Sequence, residues 1–179
     1  HLKPLDGVAG FLLANGALGD SDTADIREQL IKNDKVEAII ILPRELFITT
    51  DISVTLWILN QNKKGGNYHG RNLRNREGEI LFMDLRTWTK NPVKNEGKKK
   101  VLLDDAQIQR AADIYHTWQS EGTDGTNYEE PELYRSVGIK EIEDNAWSLV
   151  PSKYIEFIDH DLDIDFNAEM SRIQQEMKD

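Results

Sequence analysis

Cysteine is absent from the 179 residues, so neither a disulfide framework nor thiolate chemistry is open to this chain. No apolar run approaches the roughly 18 residues of a membrane-spanning helix. Nor does the N-terminus carry a charged-then-apolar leader with a small-residue cleavage site, so a cytoplasmic protein is expected. Glycine-rich nucleotide loops are missing as well: Gly7, Gly10, Gly16 and Gly19 fit the spacing of neither the dinucleotide fingerprint nor the P-loop. His1, His69, His116 and His160 stand alone, without paired-ligand spacing. The alternating acids Asp159, Asp161, Asp163 and Asp165 lack the sixth-position Gly and twelfth-position Glu of a calcium loop, so no metal is expected. There is no Gly-x-Ser-x-Gly nucleophile elbow.

What is present fits one globular domain with a moderate core, at 39% hydrophobic and 30% charged residues. A net charge of −10 argues against a free-standing nucleic-acid binder, which needs clustered Lys and Arg. The charge is unevenly spread. Lys63, Lys64, Arg71, Arg74 and Arg76 fall between Gln61 and Glu77, and Lys90, Lys94, Lys98, Lys99 and Lys100 fall between Lys90 and Lys100. Acids dominate Glu156 to Asp179, an acidic arm.

Patterning gives alternating strands and helices. Val8 to Ala14, closed by Asn15-Gly16, reads as a buried strand entering a turn. A helix capped by Asp22 or Thr23 runs to about Lys32 with Ile26 and Leu30 on one face. Val36 to Leu42 is nearly all aliphatic, as in a strand covered on both faces. Strand, helix, strand at this spacing makes a βαβ unit. The connector from Pro43 to Asp51 is too short for a parallel crossover, so the next strand, Ile52 to Leu59, runs antiparallel within a mostly parallel sheet. Glu79 to Leu85 reads as another strand.

A helix from Asp105 to about Trp118 is announced by capping-box spacing between Asp104 and Gln107, with Leu103 placed to staple Ile108. Its expected apolar stripe is Ile108, Ala111, Ala112, Tyr115 and Trp118. Ser120 to Pro131 reads as a mobile loop, and Gly138 to Asn145 as a short helix. Phe166, Met170, Ile173 and Met177, spaced by four, three and four, form a two-heptad amphipathic stripe. Such a helix needs a partner surface, either this domain or another subunit.

Phe47 stands at the mouth of the reversed strand, where it either plugs the sheet end or faces a ligand. Asn15-Gly16 follows the first strand at its carboxyl end, where α/β sheets place ligand loops, although a turn with positive φ at Gly16 explains the pair equally well. Thr49 and Thr50 are either nucleotide contacts or polar hairpin residues. Lys63, Lys64, Arg71 and Arg74 either meet phosphates or are ordinary surface charge.

Gly7 to Leu18, Ile26 to Ile31, Val36 to Leu42, Leu46 to Leu59, Gly78 to Arg86 and Ala111 to Trp118 together resemble one known family. It is the methyltransferase domain of the modification subunit of type I restriction-modification systems, an N6-adenine DNA methyltransferase. Tyr134 to Val137, Ile139 to Ile142 and Ser148 to Tyr154 continue the likeness, which covers nearly the whole chain.

The resemblance implies an α/β fold: the C-terminal half of a Rossmann-like methyltransferase sheet with one reversed strand, followed by a helical C-terminal extension. The expected divisions are 1–89 for the catalytic-domain part, 90–155 for a helical or irregular extension, and 156–179 for the acidic tail. The family's glycine-rich S-adenosylmethionine loop has no counterpart here. Its Asn-Pro-Pro-aromatic motif is also missing, since Asn91-Pro92 continues into Val93. The chain is therefore expected to be a C-terminal piece that neither binds S-adenosylmethionine nor methylates alone. In the intact enzyme the resemblance makes Phe47 the ring that stacks on the extruded adenine. It also makes DNA, a specificity subunit and a restriction subunit the partners, with the Phe166 to Met177 stripe contacting the specificity subunit. A half sheet of this kind exposes a strand edge and an apolar face.

Overall fold

The computed structural model describes residues 2–47, 51–88, 92–95 and 98–158. Thr49, Thr50 and the stripe Phe166, Met170, Ile173 and Met177 lie outside the described residues.

The strands are β1 (Val8–Ala14), β2 (Val36–Ile41), β3 (Val54–Asn60), β4 (Gly66–Tyr68), β5 (Arg71–Leu73), β6 (Glu79–Asp84), β7 (Pro92–Asn95), β8 (Lys98–Val101), β9 (Glu129–Glu130) and β10 (Tyr134–Gly138). The α-helices are α1 (Ala24–Lys32), α2 (Asp105–Gln119) and α3 (Ile139–Asp144). Six strands form one sheet in the order β1-β3-β2-β6-β10-β9, while β4-β5 and β7-β8 are separate hairpins. No helix among the described residues is long and apolar enough to cross a membrane.

The α/β class and the reversed strand match expectation: β3 lies antiparallel to β2 and, on its other side, to β1. The sheet as a whole is mostly antiparallel, which corrects the expected mostly parallel arrangement. The pairing of β2 with β6 is parallel, whereas β10 is antiparallel to both β6 and β9. The strand-helix-strand unit of β1, α1 and β2 exists, but β3 is inserted between its two strands. Because β10 pairs with β6, the sheet also runs across the expected boundary at residue 89.

Two layers cover the sheet. On one face Ile39, Ile41, Trp57, Ile80, Phe82 and Val137 pack with Ile31 of α1, Ile142 of α3 and Tyr154. On the other, Ala38, Ile40, Leu81 and Met83 meet Ile114 and Trp118 of α2. All six residues of β2 are buried, as an aliphatic central strand requires.

By contrast, β1 is an edge strand with Val8, Leu12 and Leu13 exposed, which corrects its reading as buried. The face of α1 is also rotated from expectation. Ile26 is 65% exposed and Arg27 is buried, because its guanidinium donates to the carbonyls of Trp147, Ala17 and Asp20 and so clamps two loops. In α2 the Asp104–Gln107 capping box forms in both directions. Its buried stripe runs through Ala111, Ile114, Tyr115 and Trp118, while Ile108 faces solvent. Residues 120–131, expected as a mobile loop, are tied by Thr123 Oγ1 donating to the Thr117 carbonyl, by an Asp124-capped turn and by the short strand β9.

At the amino end of β2, the register against β3 shifts between Val36 and Ala38. This bulge lets Val36 join the α1 side while Glu37 turns toward α2. Glu37 has no exposure, and its two oxygens accept from four donors: Arg76 Nε (2.9 Å), Gln119 Nε2 (3.2 Å), Asn60 Nδ2 (2.6 Å) and Tyr115 Oη (2.8 Å). Arg76, equally buried, also donates to the carbonyls of Arg74 and Asn62. Removing one partner of such a pair strands the other charge. Arg76→Met is therefore expected to lower unfolding free energy by about 3–5 kcal/mol in urea titration. A loss below about 1 kcal/mol would show that Glu37 is satisfied without it.

Candidate functional site

The sequence-derived candidates separate onto opposite ends of the sheet. β1 and β2 run the same way, so Asn15 and Phe47 both lie beyond their carboxyl ends. The loop carrying Lys63, Lys64, Arg71 and Arg74 leaves β3 at the other end, beside Val8 and Val36. The length of a six-residue strand, roughly 20 Å, lies between them. The structure therefore does not gather these residues into one site.

The basic loop is largely a polar core, which corrects its reading as a set of free surface charges. Lys63 is 2% exposed and donates to Asp34 Oδ1 (2.5 Å) and to the carbonyls of Val36 (2.9 Å) and Glu79 (2.7 Å). Arg74 forms a two-pronged pair with Glu79 and donates to the Trp118 carbonyl (2.6 Å). The guanidinium carbons of Arg74 and Arg76 lie 5.1 and 6.0 Å from the Trp118 ring centroid, within cation–π range. Arg71 donates to the His116 carbonyl (3.2 Å), and Lys64 is 82% exposed with a loose 4.0 Å contact to Glu77. Of the four, Lys64 is the most exposed, Arg71 is partly exposed, and Lys63 is sealed inside.

Burial drives the perturbed titrations at this end. Lys63 is lowered by desolvation, opposed by its bond to Asp34. Tyr115 is raised strongly, first by burial and then by the Glu37 charge. Val8, Asn60, Asn62, Tyr68, Arg71, Tyr115, His116 and Gln119 border a cleft of about 180 Å³ here.

At the carboxyl end, Asn15 Oδ1 accepts from the buried hydroxyl of Thr55 (2.7 Å), so this side chain ties β1 to β3. Asn15–Leu18 closes as a 3-10 helix with Leu18 buried, and Gly16 is not at positive φ, contrary to the turn expected there. Next, Pro43 to Phe47 leaves β2 through Glu45, whose φ of 61° is left-handed. Phe47 is half-buried, and its carbonyl accepts from Lys100 Nζ at 2.8 Å. These two loops make no cradle for a nucleoside-bearing cofactor, because Asn15 is spent on Thr55 and the β1 loop folds onto Leu18. At these loops the described residues do not fit S-adenosylmethionine. Among them, no three His, Asp or Glu side chains are grouped to hold a metal ion.

Sequence reasoning missed Glu37 and Lys100. The signal for Glu37 was a lone acid inside Val36 to Ile41. Lys100 had none, being one of three consecutive lysines.

By fold, this is an α/β sheet of the kind found in methyltransferase subunits. A type I restriction-modification methyltransferase subunit from Streptococcus thermophilus superimposes with a TM-score of 0.63 at 20% identity, over 85% of this chain and 27% of that one. The type I restriction enzyme EcoKI M protein does so with a TM-score of 0.56 at 15% identity, over 96% and 39%. Residues 1–162 match the N-6 DNA methylase family, and the chain belongs to it. The HindI methylase subunit of Haemophilus influenzae is 34% identical over 158 residues, which is 87% of this chain and 31% of the relative. The MjaIX methylase subunit of Methanocaldococcus jannaschii is 29% identical over 179 residues, 99% and 29% respectively. The chain thus spans under a third of the length of these relatives.

Two outcomes follow from the geometry. Lys63→Ala leaves three acceptors without their donor and should cost about 1–3 kcal/mol in urea unfolding, whereas Lys64→Ala should stay within about 0.5 kcal/mol. Equal effects would contradict the assignment of Lys63 to the interior. For Tyr115, the unfolded phenol ionises near 10.0 and the folded one well above it, so the unfolded state releases its proton first. The stability this group contributes is complete below that pH and is lost as pH rises beyond it. Tyr115→Phe should therefore show a smaller fall in urea midpoint between pH 8 and pH 11 than the unaltered protein. Parallel falls would refute the coupling.

Proposed function

We propose that the chain forms part of a type I restriction-modification methylase subunit, which in its intact form transfers a methyl group from S-adenosylmethionine to the exocyclic N6 of adenine in DNA. Its partners are DNA and the specificity and restriction subunits of the same complex. What supports this reading above all is membership of the N-6 DNA methylase family over residues 1–162, together with Phe47 beyond the carboxyl end of β2. Cofactor binding and the reactive amine's ligands belong to other parts of the intact subunit.

An enzyme that modifies adenine must take the base out of the duplex and replace its lost stacking. Phe47 supplies an aromatic face for the extruded ring, its carbonyl held by the donating Lys100 ammonium. Asn15 keeps β1 and β3 in register at the same end of the sheet. The target nucleotide approaches that end, so Lys64 and Arg71 at the opposite end are not its contacts. The stripe Phe166, Met170, Ile173 and Met177 is amphipathic by its spacing and is assigned to the specificity subunit by family likeness.

Stacking on an aromatic side chain is worth about 1–3 kcal/mol per base. Phe47→Ala in the intact subunit, assembled with its specificity partner, should therefore reduce methyl transfer to DNA by roughly five- to 150-fold. S-adenosylmethionine binding should be retained, and Phe47→Trp should recover most of the activity. Full methylation by Phe47→Ala would return this ring to a packing role.

A further inference from the structure

Lys100 belongs to the run Lys98 to Lys100, which sequence alone places among the basic loops facing solvent. In the structure it is 6% exposed. Its Nζ donates to the Phe47 carbonyl at 2.8 Å and to Asp51 Oδ1 at 2.9 Å. One ammonium therefore grips the chain on both sides of residues 48–50. The next residue, Val101, is buried and donates its N–H to the Glu45 carbonyl at 3.1 Å, bonding the turn whose left-handed backbone a glutamate adopts only at some cost. Strand β8 thus holds the Phe47 loop at Glu45, Phe47 and Asp51, the lysine reaching residues 53 and 49 positions away in sequence.

A buried ammonium is costly unless its protons are bonded. If this lysine served only to bind phosphate, it would be expected in water. It is instead spent on one loop, the loop that carries the aromatic ring.

We propose that Lys100 is a positioning residue for the methyl-transfer reaction: it fixes the Phe47 backbone so that the ring stands ready for the extruded adenine. The β7–β8 hairpin is then a brace for the base-stacking loop. The inference rests on the reading of Phe47 given above. It adds a dependence of base extrusion on a residue that does not touch the base.

The test uses the intact subunit assembled with its specificity partner, and a duplex with 2-aminopurine in place of the target adenine. The readouts are 2-aminopurine fluorescence, kcat and KM for methylation of the normal duplex, and melting temperature. Misplacement of a positioned group by about 1 Å costs up to about a hundredfold in rate, so Lys100→Met should lower kcat roughly ten- to hundredfold. The fluorescence rise on DNA binding should shrink, while KM for S-adenosylmethionine stays unchanged. Lys100→Arg, which keeps a donor, should restore part of both. In a Phe47→Ala background, Lys100→Met should add little further loss, because both act through one ring.

A lowered melting temperature with unchanged kcat and fluorescence would overturn the proposal and leave Lys100 a structural residue. Fully additive losses would overturn it too, since Lys100 would then act apart from Phe47. If Phe47→Ala alone leaves fluorescence and kcat intact, the base-stacking reading itself fails, which is a separate outcome. Should Lys100→Met not fold, Asp51→Asn removes the charged half of the grip and is read the same way. A full fluorescence response and kcat in that variant would count against the brace.

Discussion

A carboxylate sealed from water needs its hydrogen bonds supplied by the protein, and Glu37 draws its four from three different parts of the chain. Asn60 comes from β3, Arg76 from the loop before β6, and Tyr115 and Gln119 from α2. A charge in this position makes a poor source of net stability, since desolvation offsets much of the attraction. It is effective at excluding alternatives, because any register that moves one donor leaves an anion in the interior. The bulge at Glu37 is what aims the side chain at α2, so the irregular backbone and the polar cluster depend on each other.

With that end of the sheet fastened, the long loop from Asn60 to Glu79 is drawn in behind it. Lys63 ties β2 to β6 by their carbonyls, and Arg74 joins Glu79 to the end of α2. The opposite end is built differently. There the loop after β1 is held by Thr55 on Asn15 and Arg27 on Ala17, and the loop after β2 by Lys100 and Val101 of β8 on Glu45, Phe47 and Asp51. The buried polar network sits at the amino ends of the strands and the proposed chemistry at the carboxyl ends, where open α/β sheets place ligands.

Much of this was legible where local and global preferences agree. The aliphatic run of β2, the short connector that forces β3 to reverse, and the Asp104–Gln107 box of α2 each carry their own signal. The faces of α1 and α2 were misjudged because apolar character was taken as burial. Ile26 and Ile108 are exposed, while Arg27 is inside on three loop carbonyls that no sequence pattern announces. The hairpins β4-β5 and β7-β8 are short and polar or lysine-rich, so they lack the alternation that marks a strand. Phe47 was found through family likeness. Its tie to Lys100 joins residues 53 positions apart, a relation only tertiary structure contains.

β1 meets the rest of the sheet through β3 and has no strand on its outer side among the described residues. The β2–β6–β10 pairing does not involve it. Amide exchange in this chain should accordingly be graded across the sheet, fastest at Val8–Ala14 and slowest at β2 and β6, with opening of the edge uncoupled from global unfolding. Those seven residues also offer a neighbouring chain an open row of backbone donors and acceptors, the feature by which sheet edges pair between molecules.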